Sequence, residues 1–586
     1  MNLVEIVGLI IVLVTCIPVF LQLRAHPRGL FVLFFAEMWE RFSYYGMRGL
    51  LIFYLTQHFL FDDKEAQGQY AAYTSLVYLL PLIGGLIADR FLGMRKAIAF
   101  GALLLVAGHG AMAIEGAPAT QVLTYQGAKY EFVVNGRAAD REVKLKVGEG
   151  EYAFGANEAG ALEIKGLPAN APIPATLSKG SYELSVVKGP KIYEDILFLA
   201  LALIIMGVGF LKPNISSIVG QLYPENDPRR DSGFTLYYYG INLGAFMAAI
   251  ICGRLGQEVG WWAGFGLAGI GMAAGWIVFM LGKPWLDGKG EPPEPAKLAK
   301  PIFGPLNTEW LIYLLAILGV GLVWLLVQKN ASVGYMLGAG SVIILGYLAW
   351  FMATKCTAVE RSRMILALLL IGASVVFWTL FEQAGSSLNQ FADRNTQLAL
   401  PGGSSMTASQ AQSFNSGFIL LFAPAFAAIW AFLGRRNLDP SSPMKFALAL
   451  VQVGIGFLIL VAGVKFADGA YKVPLIFLAL AYMFHTTGEL FLSPVGLSQM
   501  TKLSVPAVVS TIMAVWFLAT AWAQYLGGFV ANLTATETVA GQVLDPKGAL
   551  ANYSAVFQTI GIWAIGLGIL LAIASPWLKK LAHGVK

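Results

Sequence analysis

Along this chain, apolar runs of about 20 residues alternate with short polar stretches, and a run of that length crosses roughly 30 Å of hydrocarbon as a helix. The runs fall near residues 3–23, 29–58, 69–88, 95–114, 193–220, 232–256, 260–281, 309–327, 333–352, 362–388, 413–434, 444–465, 473–500, 505–531 and 553–577. Two stretches break the rhythm. Residues 115–192 are Gly-rich and polar, with β-like pieces at Tyr130–Val134, Glu142–Val147 and Tyr182–Val187 between Asn-Gly, Gly-Glu-Gly and Pro turns. They predict a small strand-rich domain outside the membrane. Residues 283–305, rich in Pro, Lys and Glu, form a linker that divides the chain into halves.

The pattern predicts an all-α polytopic membrane protein in five parts. They are an extra N-terminal helix and basic turn (1–28), a first six-helix bundle (29–114 and 193–282), the insert (115–192), a linker with two extra helices (283–361), and a second six-helix bundle with a short tail (362–586). In the leading run the basic residues Arg24 and Arg28 follow the apolar stretch, whereas a signal peptide has them before it. An extra span with its N-terminus outside is the expectation.

Composition and charge sharpen this picture. The chain is 57% hydrophobic and 13% charged, against about 45–50% and about 25% in soluble domains. Cys16, Cys252 and Cys356 are far apart and show neither metal spacing nor a disulfide framework. With the C-terminus inside, alternating spans put 21 Lys and Arg on the cytoplasmic side, from Arg24 and Arg28 to Lys579, Lys580 and Lys586, against 7 in the short outer loops. The net charge of +6 is therefore a matter of loop placement rather than a nucleic-acid partner. The same parity places the insert outside, in the periplasm if the membrane is a bacterial inner membrane.

The second run carries the chemistry. Glu37, Glu40, Arg41, Tyr44, Tyr45 and Arg48 share one helix face at about 100° per residue. Each charge at the centre of a bilayer costs about 2.5–3.5 kcal/mol, so a face with four of them predicts a polar cavity and a transport role. No His-Glu-x-x-His, Gly-x-Ser-x-Gly or paired catalytic Asp motif lies in the membrane, so the reading is a transporter and not an enzyme. His485 and Glu489 are four residues apart, as two metal ligands could be, but lack a third ligand nearby; no metal and no cofactor is expected, with the proton as coupling ion.

At this point the residues resemble a known family. Glu37-x-x-Glu40-Arg41-Phe42-x-Tyr44-Tyr45-Gly46 resembles the first-helix signature of the proton-coupled oligopeptide transporters (POT/PTR) of the major facilitator superfamily. Tyr78 to Pro81 and Gly84 to Lys96 are similar to that superfamily's loop between its second and third core helices. Lys212 to Ser216 resembles the fourth-helix motif, Phe234 to Gly244 the fifth, Phe377 to Gln383 the seventh, and Gly488 to Pro494 the tenth. The leading helix and the insert stand outside the usual family pattern.

The resemblance implies a major facilitator fold and proton-driven symport of di- and tripeptides into the cell. It implies that Asn242 and Asn415 bond the peptide backbone or termini, that Tyr44, Tyr45, Tyr78, Trp378 and Trp516 build side-chain pockets, and that Ser493 lies on the substrate face. It also implies two gating salt bridges between halves, Arg48 with Glu382 and Lys212 with Glu489. The intramembrane charges agree. The first half holds Glu37, Glu40, Arg41, Arg48 and Lys212, and the second holds Glu382 and Glu489. A zwitterionic peptide between them would turn its carboxylate to Arg48 and Lys212 and its ammonium to Glu489. Glu37, Glu40 and Arg41, with Glu382, are the expected proton-coupling set. The plainer reading of each cluster is a static ion pair that holds helices together. Other small solutes such as nitrate or amino-acid-like compounds, and a peptide sensor or docking protein built around the insert, are the alternatives. A monomer is expected, with no partner identified for the insert, and deletion of 118–188 is expected to leave uptake intact.

Overall fold

The computed structural model describes residues 2–224, 227–304 and 306–585; the expected inward placement of Lys586 falls outside the described residues. α1 is Leu3–Leu23. The first bundle comprises α2 (Arg28–Phe53, continued by a π-helical turn Tyr54–His58), α3 (Asp63–Ile87), α4 (Met94–Met112), α5 (Lys191–Gln221), α6 (Arg230–Arg254) and α7 (Trp261–Gly282). The linker holds the short α8 (Pro295–Ala299) and the long α9 (Thr308–Val327) and α10 (Asn330–Thr354). The second bundle comprises α11 (Ala358–Phe381), the short α12 (Ser387–Asn395), α13 (Ser413–Arg435), α14 (Ser442–Gly463), α15 (Leu475–Leu503), α16 (Val509–Leu533) and α17 (Pro546–Leu581). Among the described residues, 13 helices are long and apolar enough to cross a membrane. α2 and α4 are also long, but their charged residues lower their mean hydropathy.

Within the first bundle α2 lies against α6 and α7, and α5 lies against α3 and α4; in the second, α14 packs on α15 and α17, and α11 on α16. Close approach depends on missing side chains: a Cβ at Gly101 would meet the carbonyl oxygen of Gly207 at 2.6 Å, so α4 and α5 touch backbone to backbone there. The halves meet along two seams, α3 against α16 and α6 against α13. α9 rests on α5 and α10 on α3 and α16, and the outward Leu314, Leu315, Leu318 and Leu322 suit a lipid surface.

The leading helix flanks the α6–α13 seam. Asn2 and Glu5 form a capping box at its start, and Asn2 Nδ2 also donates to Ser405 O (3.1 Å) and Gln410 Oε1 (3.2 Å) in the second half. Farther along, Thr15 and Tyr239 share a hydroxyl hydrogen bond of 2.6 Å.

Two spans differ from the hydropathy pattern. The run at 362–388 is not one helix: α11 stops at Phe381, a 3₁₀ turn follows at Glu382–Gly385, and α12 continues to Asn395. Gln383 makes the break affordable, since its Nε2 donates to the freed carbonyl of Thr379 (2.9 Å) and to Gly527 O (3.0 Å). The last helix starts at Pro546, earlier than its apolar run, because Asp545 Oδ1 accepts from Gly548 N at 2.9 Å and caps it.

The insert is strand-rich. β1 (Thr120–Tyr125), β2 (Ala128–Asn135), β3 (Glu142–Val147), β4 (Gly150–Tyr152) and β8 (Glu183–Val187) form an antiparallel sheet in the order β4-β3-β2-β1-β8. β5 (Phe154–Ala156), β6 (Leu162–Ile164) and β7 (Thr176–Leu177) form a second. Val143, Leu145 and Val147 point alternately into a small core with Leu123, Phe132 and Leu162. That core is completed by the other half of the molecule: Val539, Ala540 and Leu544, from the loop between α16 and α17, are buried in it. Ala540 N donates to Gln121 Oε1 (2.5 Å), Arg141 Nη2 to Ala540 O (2.5 Å) and Ala156 N to Leu544 O (3.0 Å). The insert thus grows from the first half and grips the second.

Candidate functional site

α2 brings its charged face to the centre of the molecule. Glu37, Glu40, Arg41 and Arg48 are all buried. The Arg41 guanidinium sits between two acids, with Nε 2.9 Å from Glu37 Oε1 and 2.9 Å from Glu40 Oε2. Glu37 Oε2 and Glu40 Oε1 lack a hydrogen-bond donor among the described residues. Lys212, reaching in from α5, lies within electrostatic range of this triad, and its ammonium rests 3.9 Å from the centroid of the Tyr78 ring. Two acids and two bases make the cluster formally neutral, as burial requires.

About two helical turns beyond Arg41 along α2, Arg48 bridges the halves. It forms an ion pair with Glu382 at the break after α11, donates from Nε to the Tyr70 hydroxyl at 2.7 Å, and lies 5.9 Å from the Tyr45 ring centroid. Gly385 makes room for this junction, since a Cβ there would collide with the Tyr70 hydroxyl and come within 3.0 Å of the Arg48 guanidinium. The Arg48–Glu382 pair implied by the resemblance is formed. The Lys212–Glu489 pair is not: no ion pair joins them among the described residues, and Glu489 instead accepts from Asn415 Nδ2 at 3.3 Å. Asn415 Nδ2 also donates to Thr486 Oγ1 at 2.9 Å.

The remaining side chains surround this centre. Tyr45 is within electrostatic range of Arg41, Arg48, Glu382 and Glu489 at once, and Tyr238 is within range of both Tyr45 and Glu489. Tyr44 packs edge-on against Tyr45 with ring centroids 5.3 Å apart, and its buried hydroxyl has no partner among the described residues. Trp378 stands edge-on to Phe377 and Phe381. Trp516 packs over Gly496, and Ser493 is half-buried one turn beyond Glu489. Asn242 Nδ2 donates to Tyr238 O of its own helix at 3.0 Å. His485 is a packing residue, with Nε2 3.1 Å from Val453 O and its ring against Phe457.

Accessibility is asymmetric. On the insert side the halves are sealed by buried polar contacts that motif reasoning missed. Arg394 grips Asp63, Gln67 Nε2 donates to Gln390 Oε1 at 2.6 Å, and both Asn389 Nδ2 (2.9 Å) and Ser409 Oγ (3.0 Å) donate to Gly49 O. Toward the opposite face Lys212, Tyr78, Glu489, Ser493, Trp378 and Trp516 are half-buried. Opposed charges at positions 63 and 394 were the one signal in the sequence for the outer seal, and each lay in what read as a loop or a helix end.

Comparison with known proteins agrees with this architecture. The family profile described as "PTR2: POT family" matches residues 95–547. The chain is 33% identical over 568 residues to an uncharacterised transporter, YclF, of Bacillus subtilis, covering 96% of each chain. It is 28% identical over 559 residues to dipeptide and tripeptide permease B of Shigella dysenteriae, covering 95% of this chain and 96% of that one. Among solved structures it is similar to a peptide transporter POT in complex with alafosfalin, with a TM-score of 0.70, 33% identity, and 95% of this chain and 96% of that one covered. It is also similar to a POT family transporter in complex with 5-aminolevulinic acid, with a TM-score of 0.69, 28% identity and coverage of 94% and 97%.

Proposed function

This chain belongs to the POT family of transporters, and on that footing we propose that it carries di- and tripeptides into the cell with protons, by alternating access around the central site. The fold is the major facilitator fold, with two linker helices, one extra N-terminal helix and the strand-rich insert. The relatives named as dipeptide and tripeptide permeases support peptides as the substrate class. The observation that carries the reading is the pair Lys212 and Glu489. They are opposite charges on facing halves, both half-buried and unpaired with each other. A peptide carboxylate would take Lys212 and, when the outer pair opens, Arg48; the peptide ammonium would take Glu489. Tyr44, Tyr45, Tyr78, Trp378 and Trp516 would line side-chain pockets with Ser493, and Asn415 and Asn242 would bond the backbone, Asn242 after turning from its own helix.

For coupling, Glu37, Glu40 and Arg41 with Glu382 are the proposed set. The carboxylate oxygens of Glu37 and Glu40 that lack donors have room for a proton. Glu382 spends its charge on Arg48 in this form, and its protonation would release that arginine and let the insert side open. The positive-inside asymmetry of the loops supports an inner-membrane orientation with the insert in the periplasm and the C-terminus in the cytoplasm. In this orientation the described form is closed on the periplasmic side.

The test is dialanine uptake into liposomes, with and without an inward proton gradient, by the wild type and Glu37→Gln. Gradient-driven accumulation by the wild type and only downhill exchange by the variant are expected. Inserted protein that moves no dialanine would remove peptides as the substrate, and 5-aminolevulinic acid, a zwitterion of the same charge pattern, would be the next solute to try.

A further inference from the structure

Apart from the central site, a cleft of about 590 Å³ lies on the insert side, between the insert, the end of α2 and the loops of the second half. Four of its lining residues carry the chemistry: Arg141 from the insert, Gln57 from the end of α2, and Asp393 and Lys472 from the second half. Arg141 is half-buried and donates to Ala540 O, yet it makes no ion pair among the described residues. Burial lowers the pKa of its guanidinium from the ordinary value, and the Asp393 carboxylate across the cleft opposes that shift. Lys472 is half-buried too, and its ammonium makes no hydrogen bond or ion pair among the described residues. The neighbouring Asp468, also in the lining, accepts from the backbone N–H groups of Ala470 and Lys472 (2.9 Å each) and from Gln397 Nε2 (3.2 Å) and lies within electrostatic range of the Lys472 ammonium, without a direct ion pair. Arg394, also in the lining, is held by Asp63. Asp393 accepts from Gln57 Nε2 at 3.2 Å.

A half-buried cation without a direct ion pair is costly, and here two of them share with two acids, Asp393 and Asp468, a cleft whose volume falls within the roughly 300–1,000 Å³ of small-ligand sites. We propose that this cleft is a second binding site, for a short peptide or another amino-acid-like zwitterion, with the carboxylate on Arg141 and Lys472 and the ammonium on Asp393. The charges choose the class. A simple anion would be repelled by Asp393, and a simple cation would meet Arg141 and Lys472. Arg141 belongs to the first half and the other two to the second, so the bound zwitterion ties the halves together on the insert side. The site exists as described only while that side is closed. The proposal rests on the peptide reading of the central site for its choice of ligand.

The test is a count of bound dialanine by equilibrium dialysis of the full chain in lipid nanodiscs. Two classes of site are expected in the wild type. Lys472→Gln and Arg141→Gln should each weaken one class by about tenfold or more, the worth of a charge-assisted hydrogen bond, and Lys472→Arg should retain it. Glu489→Gln should weaken only the other class. Because Lys472 takes no part in the grip on Ala540, its variant reports on the cleft even if Arg141→Gln loosens the insert. A single class in the wild type, lost in Glu489→Gln and unmoved by Lys472→Gln, would overturn the second site and leave the central one standing. No dialanine bound by the wild type would remove both readings.

Discussion

Asp63, the first residue of α3, and Arg394, near the end of α12, form a two-pronged ion pair across the halves. Arg394 Nη1 donates to Asp63 Oδ2 at 2.6 Å and Nη2 to Oδ1 at 2.7 Å, with both side chains at most 5% exposed. Thr536 N adds a third bond to Asp63 Oδ2 at 3.0 Å. A parallel fork of this kind is specific as well as strong, and it stands between the insert side and the Arg48–Glu382 pair.

Removing one partner strands the other's charge, at a cost of about 3–5 kcal/mol. Asp63→Asn and Arg394→Gln should each shift the protein toward opening on the insert side. Alkylation of a cysteine placed at Gln390, in a background without the native cysteines, should become at least about tenfold faster. The double variant should cost less than the sum of the two singles. Unchanged labelling in both singles would mean the pair does not hold the seal.

Gly385 lets Tyr70 and Arg48 approach the α11 break. Gly385→Ala should force that junction apart, at about 1–3 kcal/mol for overpacking. A lower melting temperature in the form closed on the insert side and slower uptake are expected, while Gly338→Ala, where the added Cβ meets open space, should change neither. Equal behaviour of the two variants would show that the junction tolerates the methyl group.

Glu489→Gln removes the charge set against the peptide ammonium. Dialanine affinity should fall by about tenfold or more, while N-acetyl-dialanine, which has no ammonium, should bind the variant no worse than the wild type. Lys212→Gln should do the converse with C-amidated dialanine. A parallel loss for charged and capped ligands would argue that these residues only hold the helices.

The insert's grip on the 538–544 loop must loosen whenever the insert side opens. Deletion of 118–188, closed with a short flexible linker, should keep uptake but make insert-side opening more frequent, read as faster labelling of the Gln390 cysteine. Loss of uptake in an inserted, folded deletion would make the insert part of the transport machinery itself.

Much of the fold and part of the site were legible in the chain. A bilayer solvates neither a backbone amide nor a charge, so apolar runs mark helices, and the charges on α2, at Lys212 and at Glu489 stand out against them. The α2 face needed only the 3.6-residue period, and the sequence by itself determined the helix count, the halves and the intramembrane charges. Only the tertiary structure decided how those charges are distributed: Arg48 paired with Glu382, and Lys212 resting on Tyr78 rather than on Glu489. It also decided the α11 break, the Asp63–Arg394 seal and the docking of the insert on the far half. These depend on which surfaces meet across separations such as the 331 residues between Asp63 and Arg394. Local periodicity carries no record of such meetings, because each is fixed by the packing of two halves far apart in the chain.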